Sequence, residues 1–288
     1  MKEKREADPG GKGPISGIIM VAHGPEVFDC GDAAFLQERI RPCRLLVAGV
    51  MGRTAAEESG LAVEFCNEPP SRVAGRLEGP WFLANHGKTP SSGRIFGEIV
   101  ASRLGEGLVQ VECSDRTIYL WDEGAVEVAE AIAERTGFPI LKVRSNSQGD
   151  PGEREIRGCI PGEAVFVNGI VIGTAISDKV VLREMDGRIT PIKGIHPKPH
   201  GFEKLERRGR VDLASAWCKS GAIRAAAPRV VSSPPECGRI LIVNHCGHEI
   251  YKSLGPDVCG VLSIGDDTTA VCGHICSHRG IPIFGVVD

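Results

Sequence analysis

The run SGIIMVAH at residues 16–23, continuing into Gly24-Pro25-Glu26, decides the architecture. Ile18 to Ala22 are apolar without alternation, the pattern of a short strand buried on both faces, and such strands belong to parallel sheets covered by helices on each side. Two more runs repeat the pattern. RLLVAGV (44–50) passes into Met51-Gly52-Arg53-Thr54, and PWFLANHGK (80–88) ends in Asn85-His86-Gly87-Lys88-Thr89. LVQVE (108–112), TIYLW (117–121) and PILKV (139–143) add three shorter strands. Over 91–104, Phe96, Ile99, Val100 and Leu104 share one helical face, Ser91 or Ser92 caps the start and Gly105 ends it. Over 124–136, Ala125, Val128, Ala129 and Ile132 form an apolar stripe, stopped by Gly137 and Pro139. Strands alternating with helices predict a parallel sheet with crossover helices.

Composition agrees. The 288 residues are 42% hydrophobic and 25% charged, the balance of a globular chain rather than a disordered one. Nine Phe, three Trp and two Tyr leave the core to Val, Ile, Leu and Ala. No apolar stretch is long enough to span a bilayer, and a net charge of -3 draws the chain toward neither membrane nor nucleic acid. The N-terminus, MKEKREADPGGKGPISG, lacks the apolar core of a secretory signal. A cytoplasmic chain is expected, in which the 11 cysteines stay reduced and mostly fill the core.

The chain divides by pattern into a disordered tail over 1–14, an α/β domain over 15–145, a β-rich segment with a basic stretch over 155–210, and a C-terminal α/β domain over 211–288. The middle segment carries β-branched runs broken by Asn168-Gly169 and Asp186-Gly187, both hairpin signals. Its basic stretch holds Lys198, His200, Lys204, Arg207, Arg208 and Arg210 beside Glu203, either a solvated face or a contact to an anion. RILIVNH (239–245), VCGVLSIG (258–265) and IPIFGVVD (281–288) read as the last strands, with a helix from Asp267 to near Gly280. The expected fold class is α/β, with two Rossmann-like parallel-sheet portions flanking a β-rich middle.

Ligands of open parallel sheets bind outside the carboxyl ends of the strands. Three strands here end in glycine-bearing polar turns, where backbone N–H groups can approach an anion. Gly24, Gly52, Arg53, Thr54, Asn85, Gly87, Lys88 and Thr89 are therefore expected to bind an anionic small molecule, with His23 or His86 moving a proton. Gly87-Lys88-Thr89 is not a P-loop, because the position that demands the first glycine is Phe82. In Ser263-Ile264-Gly265-Asp266-Asp267-Thr268-Thr269, two carboxylates at a strand end suit Mg²⁺ held with substrate oxygens, Thr268 and Thr269 are expected to bind the ligand, and Asp266 is also a catalytic candidate. A plain helix cap explains one of those residues as well. Asp288 ends the last strand and could converge on the same crevice. His245, Cys246, His248, Cys259, Cys272, His274, Cys276 and His278 lack zinc-finger spacing, so Zn²⁺ or Fe ranks below Mg²⁺; His274 and His278, one turn apart, could still pair on a metal. Glu112 and Asp122 lie at strand ends with nothing to single them out.

Several of these blocks, HGPEVFDCG (23–31), AGVMGRTA (48–55), NHGKTPSSGRIFG (85–97), PGEAVFVNGIVIG (161–173), KPHGFEKL (198–205), SGAIR (220–224) and SIGDDTTA (263–270), occur together and in order. The chain thereby resembles, from about residue 17 to 288, an archaeal family typical of methanogens and labelled only as domain-of-unknown-function family 2117. The resemblance implies no reaction. The family's pattern has Thr where Val50 stands, Asp-His at Asn244-His245, an Asp at His274, and an Asp-Gly-Asp beginning at Asp288, where this chain stops. These departures imply a divergent or catalytically impaired member, or a metal preference shifted toward a softer ion. Two readings stand: an enzyme acting with Mg²⁺ on a phosphate-bearing or nucleotide-like molecule, and a non-catalytic binding or regulatory protein using the same crevice.

Overall fold

A computed structural model of the chain describes residues 16–50, 52–145, 152–207, 209–213, 216, 218–221 and 224–287. The tail expected over 1–14, Arg208 and Asp288 lie outside the described residues.

The first half runs β1 (Ile19–His23), α1 (Glu26–Asp29), α2 (Asp32–Ile40), β2 (Arg44–Ala48), α3 (Arg53–Ser59), β3 (Glu64–Cys66), α4 (Pro70–Ala74), β4 (Trp81–Asn85), α5 (Pro90–Leu104), β5 (Leu108–Glu112), β6 (Thr117–Trp121), α6 (Val126–Thr136) and β7 (Ile140–Val143). Its strands form one sheet in the order β3-β2-β1-β4-β5-β6-β7. β1 lies in the middle and is buried on both sides, as its unbroken apolar run requires. Met20 and Ala22 join a core with Leu36 of α2 and Ile132 of α6, while Ile19 and Val21 pack with Val73 of α4 and Val100 of α5. All neighbouring strands are parallel except β5 and β6, which form an antiparallel pair. That corrects the uniformly parallel sheet expected from the alternation. The link over residues 113–116 is far too short for a crossover, which needs a dozen residues or more.

The middle comprises β8 (Glu153–Arg157), β9 (Ala164–Val167), β10 (Ile170–Ala175), β11 (Lys179–Met185), β12 (Arg188–Lys193), β13 (Ile195–Pro197), α7 (Pro199–Arg207) and β14 (Cys218–Ser220). Two antiparallel sheets, β13-β10-β9-β14 and β12-β11-β8, enclose one core. Both hairpin signals appear as turns, with positive φ at Asn168, Gly169, Asp186 and Gly187. The basic stretch contributes α7. β14 lies beyond residue 210 yet pairs with β9.

Three parallel strands, β15 (Arg239–Asn244), β16 (Val258–Ile264) and β17 (Ile283–Val286), form the last sheet. One face packs under α8 (Asp266–Arg279) through Leu241, Val243, Val261, Cys272, Ile275 and Cys276. Burial pushes the Cys272 and Cys276 thiols up to about 12, so both behave as inert core. On the opposite face Ile240, Ile242 and Phe284 are exposed.

A polar network lies inside the large sheet. Strand register sets His23, Asn85 and Glu112 side by side across β1, β4 and β5. The period of two aims all three toward α5. Glu112 is fully buried; it accepts from Asn85 Nδ2 at 2.5 Å and from the Gly87 and Ser114 backbone N–H groups at 2.9 Å each. Gln110, also fully buried, donates to Asn85 Oδ1 and to the Gly93 carbonyl, and accepts from Trp121 Nε1, each at 2.8 Å. α5 accommodates these side chains only by presenting glycine. A Cβ on Gly93 would lie 2.0 Å from Glu112 Oε2, and one on Gly97 would lie 1.7 Å from Gln110 Oε1. Gly97→Ala is expected to lower the unfolding free energy by about 1–3 kcal/mol through overpacking. Gly273→Ala in α8, where a Cβ meets nothing within 4 Å, should be neutral or stabilising by up to about 1 kcal/mol. Denaturant unfolding of the two variants checks both.

Candidate functional site

The residues singled out from the sequence separate into three places. The first is the crevice at the carboxyl end of β1, where the strand order reverses between β1 and β4. His23 Nδ1 donates to the Ala48 carbonyl at 2.9 Å, and its ring stacks on Phe96 with centroids 4.4 Å apart. Burial, opposed by the Ala48 hydrogen bond and assisted by the charge of Lys219, lowers the imidazole to about 4. His23 is therefore neutral near pH 7, with its proton on Nδ1 and Nε2 an acceptor. Gly24 and Gly52 bring two turns into contact: a Cβ on Gly52 would lie 3.0 Å from the Gly24 carbonyl oxygen.

Lys219 is the residue that sequence reasoning missed. It sits on β14, and burial, with the charge of Lys88 and against those of Glu26 and Glu163, lowers it to about 8. Lys88 itself pairs with Glu163. Only the pairing of β14 with β9 brings Lys219 here, so no local motif could have marked it. Two ammonium groups and a neutral imidazole thus gather where the first half meets the middle sheets. Asn85 and Gly87 support the crevice from behind. The Asn85 amide is engaged at both ends in the buried network, and a Cβ on Gly87 would fall 2.4 Å from the Gly93 nitrogen. Thr89 caps α5 in a reciprocal capping box with Ser92. His86 turns away from the crevice toward Asp32, with Nδ1 2.7 Å from Oδ2.

The second place is the contact between α3 and the C-terminal unit, and it holds Arg53 and Thr54. The Arg53 guanidinium lies between the rings of Phe65 and Tyr251, 4.5 and 4.2 Å from their centroids, and donates to Glu57 at 3.1 Å. Thr54 Oγ1 is 3.0 Å from His274 Nε2. His278 is fully buried, with Nε2 2.7 Å from Glu57 and Nδ1 2.9 Å from the Arg229 carbonyl. His274 and His278 therefore face α3 rather than sharing a metal. Arg224 bridges Asp29 and Glu58. These residues clamp two units together, so Arg53 and Thr54, expected as ligand contacts, are engaged by Phe65, Tyr251, Glu57 and His274.

The third place surrounds the carboxyl ends of β15, β16 and β17. A cavity of about 370 Å³ is lined by His200, Lys204 and Arg207 of α7, His245, Ile264 and Gly265 at the strand ends, and Val286 and Val287. The His245 ring lies over Gly265, where a Cβ would come within 2.9 Å of it. α8 starts at this floor after Gly265, with no side-chain cap, and the positive end of the helix dipole lies at the strand ends. Asp266 meets Lys198 Nζ at 2.9 Å and Lys204 Nζ at 3.9 Å. Asp267 accepts from the Val171 N–H at 2.9 Å. Thr268 is buried, and Thr269 Oγ1 lies 2.8 Å from Ser263 Oγ. Both carboxylates of the expected Mg²⁺ pair are thus engaged with the middle segment: Asp266 meets two lysines while staying partly exposed, and Asp267 holds a strand of the middle sheet.

The clamp generates a pH dependence. Burial pushes the Glu58 carboxyl up, but Arg224, the Arg229 N–H and His278 outweigh it and hold the group at about 2. A depressed carboxyl stabilises the fold fully above its unfolded value of about 4.3 and loses that contribution as pH falls through the folded value. Stability should therefore drop between about pH 4.5 and 2. Glu58→Gln should flatten that slope and cost on the order of 3 kcal/mol at pH 7 by leaving buried Arg224 short of a partner. Urea unfolding as a function of pH reads both.

Residues 20–288 match the profile of a family described as uncharacterised proteins conserved in archaea. An uncharacterised protein of Methanocaldococcus jannaschii is 32% identical over 297 aligned residues, covering 94% of this chain and 81% of the relative. No solved structure matches, and no helix among the described residues is long and apolar enough to cross a membrane. With nearly its whole length matched, and with the motif-bearing turns inside the match, the chain belongs to domain-of-unknown-function family 2117.

Proposed function

We propose that this protein binds an anionic, phosphate-bearing small molecule in the cavity at the carboxyl edge of its C-terminal sheet. The observation that carries the reading is the cavity itself. About 370 Å³ lies where α8 begins and where Lys204, Arg207, His200 and His245 converge from two separate elements. Pockets of roughly 300–1,000 Å³ hold metabolite-sized ligands. A helix N-terminus supplies oriented N–H donors, and Arg binds phosphate oxygens in pairs. The basic stretch and the Ser263–Thr269 motif, far apart in the chain, become two walls of one site.

Asp266 and Asp267 tether the C-terminal sheet to the middle sheets, and this favours binding without chemistry at that point. Mg²⁺, in this reading, enters with the ligand's own phosphates rather than through the aspartate pair. A second reading, an enzyme, draws support from the β1 crevice, where neutral His23 and a lysine near its titration point stand together. A lysine brought down to about 8 suits proton transfer near pH 7, and the neutral His23 beside it offers Nε2 as a hydrogen-bond acceptor.

A thermal-shift panel of inorganic pyrophosphate, nucleotides and sugar phosphates tests the binding. At a hundredfold excess over Kd, a true ligand should raise Tm by roughly 4–5 °C. Added salt should weaken the effect, and a Lys204→Glu, Arg207→Glu double variant should abolish it. A panel without stabilisation, or an unchanged response in the double variant, rejects the cavity as the site. Turnover that His23→Gln removes while ligand-induced stabilisation survives would identify an enzyme. Stabilisation without turnover identifies a binding protein.

A further inference from the structure

We infer that Cys30, Asp32 and His86 form a binding site for a borderline-soft divalent cation of the Zn²⁺ or Co²⁺ type, beside the carboxyl end of β4. The site is separate from the phosphate cavity and does not rest on the function proposed above. Cys30 follows α1, Asp32 opens α2, and His86 is the first residue after β4. One ligand atom from each residue lies within 4.8 Å of the other two.

The geometry suits a metal more closely than a simple hydrogen bond. Cys30 Sγ is 3.8 Å from His86 Nε2, long for an S–H donor. Two ligands of a tetrahedral zinc ion, with Zn–S about 2.3 Å and Zn–N about 2.0 Å, stand about 3.5 Å apart. An exposed thiol reaches that separation with a movement of a few tenths of an ångström. The His86 ring is already oriented for the task. Its Nδ1 donates to Asp32 Oδ2 at 2.7 Å, which leaves the Nε2 lone pair directed to the cysteine side. A carboxylate behind an imidazole is the usual support of a metal-bound histidine.

Local charge points the same way. Glu26, Asp29 and Asp32 surround the Cys30 sulfur. Arg224 balances Asp29, while Asp32 adds negative charge directly at the imidazole. Such surroundings repel a bare thiolate, which argues against a free cysteine nucleophile, and attract a divalent cation. A thiolate with an imidazole selects Zn²⁺ or Co²⁺ over Mg²⁺. The backbone that aims the ligands is firm: the Gly87 N–H, next to His86, is held by buried Glu112. With the Cys30 thiolate and His86 Nε2 as ligands and Asp32 behind the ring, the remaining tetrahedral positions stay open to water or to a bound molecule.

The test is an anaerobic Co²⁺ titration of the full chain, followed by competition with Zn²⁺. The expected result is one equivalent bound, with a near-ultraviolet thiolate-to-cobalt charge-transfer band that Zn²⁺ displaces. Cys30→Ser should lose the band and His86→Gln the equivalent. Asp32→Asn should keep the band but bind roughly 10–100-fold more weakly, as loss of a supporting carboxylate does. Because the chain has 11 cysteines, a band that persists undiminished in Cys30→Ser overturns the assignment, as does the absence of binding in the wild type. Peptide mass spectrometry of the unmutated protein gives a readout independent of mutant folding. Bound Zn²⁺ should protect Cys30 from iodoacetamide by tenfold or more, and equal alkylation with and without Zn²⁺ also overturns it.

Discussion

A single buried carboxylate organises the first half of the molecule. Glu112 has no exposed surface, and burial pushes its carboxyl up against the pull of the Ser114 and Gly87 donors. Such a group is tolerable only with its oxygens satisfied, and the chain around it is arranged to do that. Asn85 points inward, the turn after β4 folds back so that Gly87 donates, and α5 presents glycine where its neighbours would clash. The turn so fixed carries His86 to one side and Lys88 to the other. Two candidate sites therefore depend on one internal hydrogen-bond network.

A second theme is the conversion of ligand-like residues into structural ones. Arg53, in a glycine-bearing turn at a strand end, has the local character of an anion binder. In the folded chain it is sandwiched between Phe65 and Tyr251, from two different units. Asp266 and Asp267 have the local character of metal ligands, and they join the last sheet to Lys198, Lys204 and Val171. In each case a charged group at a strand end meets the complementary surface of a neighbouring unit. A chain with three packed units has many such edges to join, and charged groups that stay partly hydrated there lose less to desolvation than a fully buried pair would.

The strands of the large sheet were legible because burial on both faces leaves an unbroken aliphatic run. β5 (Leu108–Glu112) and β6 (Thr117–Trp121) could be read to the residue. Their antiparallel pairing was also implicit in the short link between them, which the strand–helix alternation elsewhere obscured. α5 and α6 showed their apolar stripes and glycine stops, whereas α1 and α4 have only four and five residues, too few for a period to register. Of the site, Lys88, His23 and the turn glycines were visible as strand-end residues. Lys219 and Cys30 were not, since neither belongs to a motif whose spacing implies its partners.

The sequence by itself determined the α/β class, the hairpins at Asn168-Gly169 and Asp186-Gly187, and the inward set of aliphatic side chains, because these follow from local periodicity and backbone preference. Only the tertiary structure decided which polar groups meet. Lys219 reaches His23 through a strand pairing, His200 and Lys204 reach the floor under α8 across some 60 residues of chain, and Cys30 reaches His86 across 56. Chemistry at a site depends on distances of a few ångströms between residues remote in the chain, and strand order and helix packing, not local pattern, set those distances.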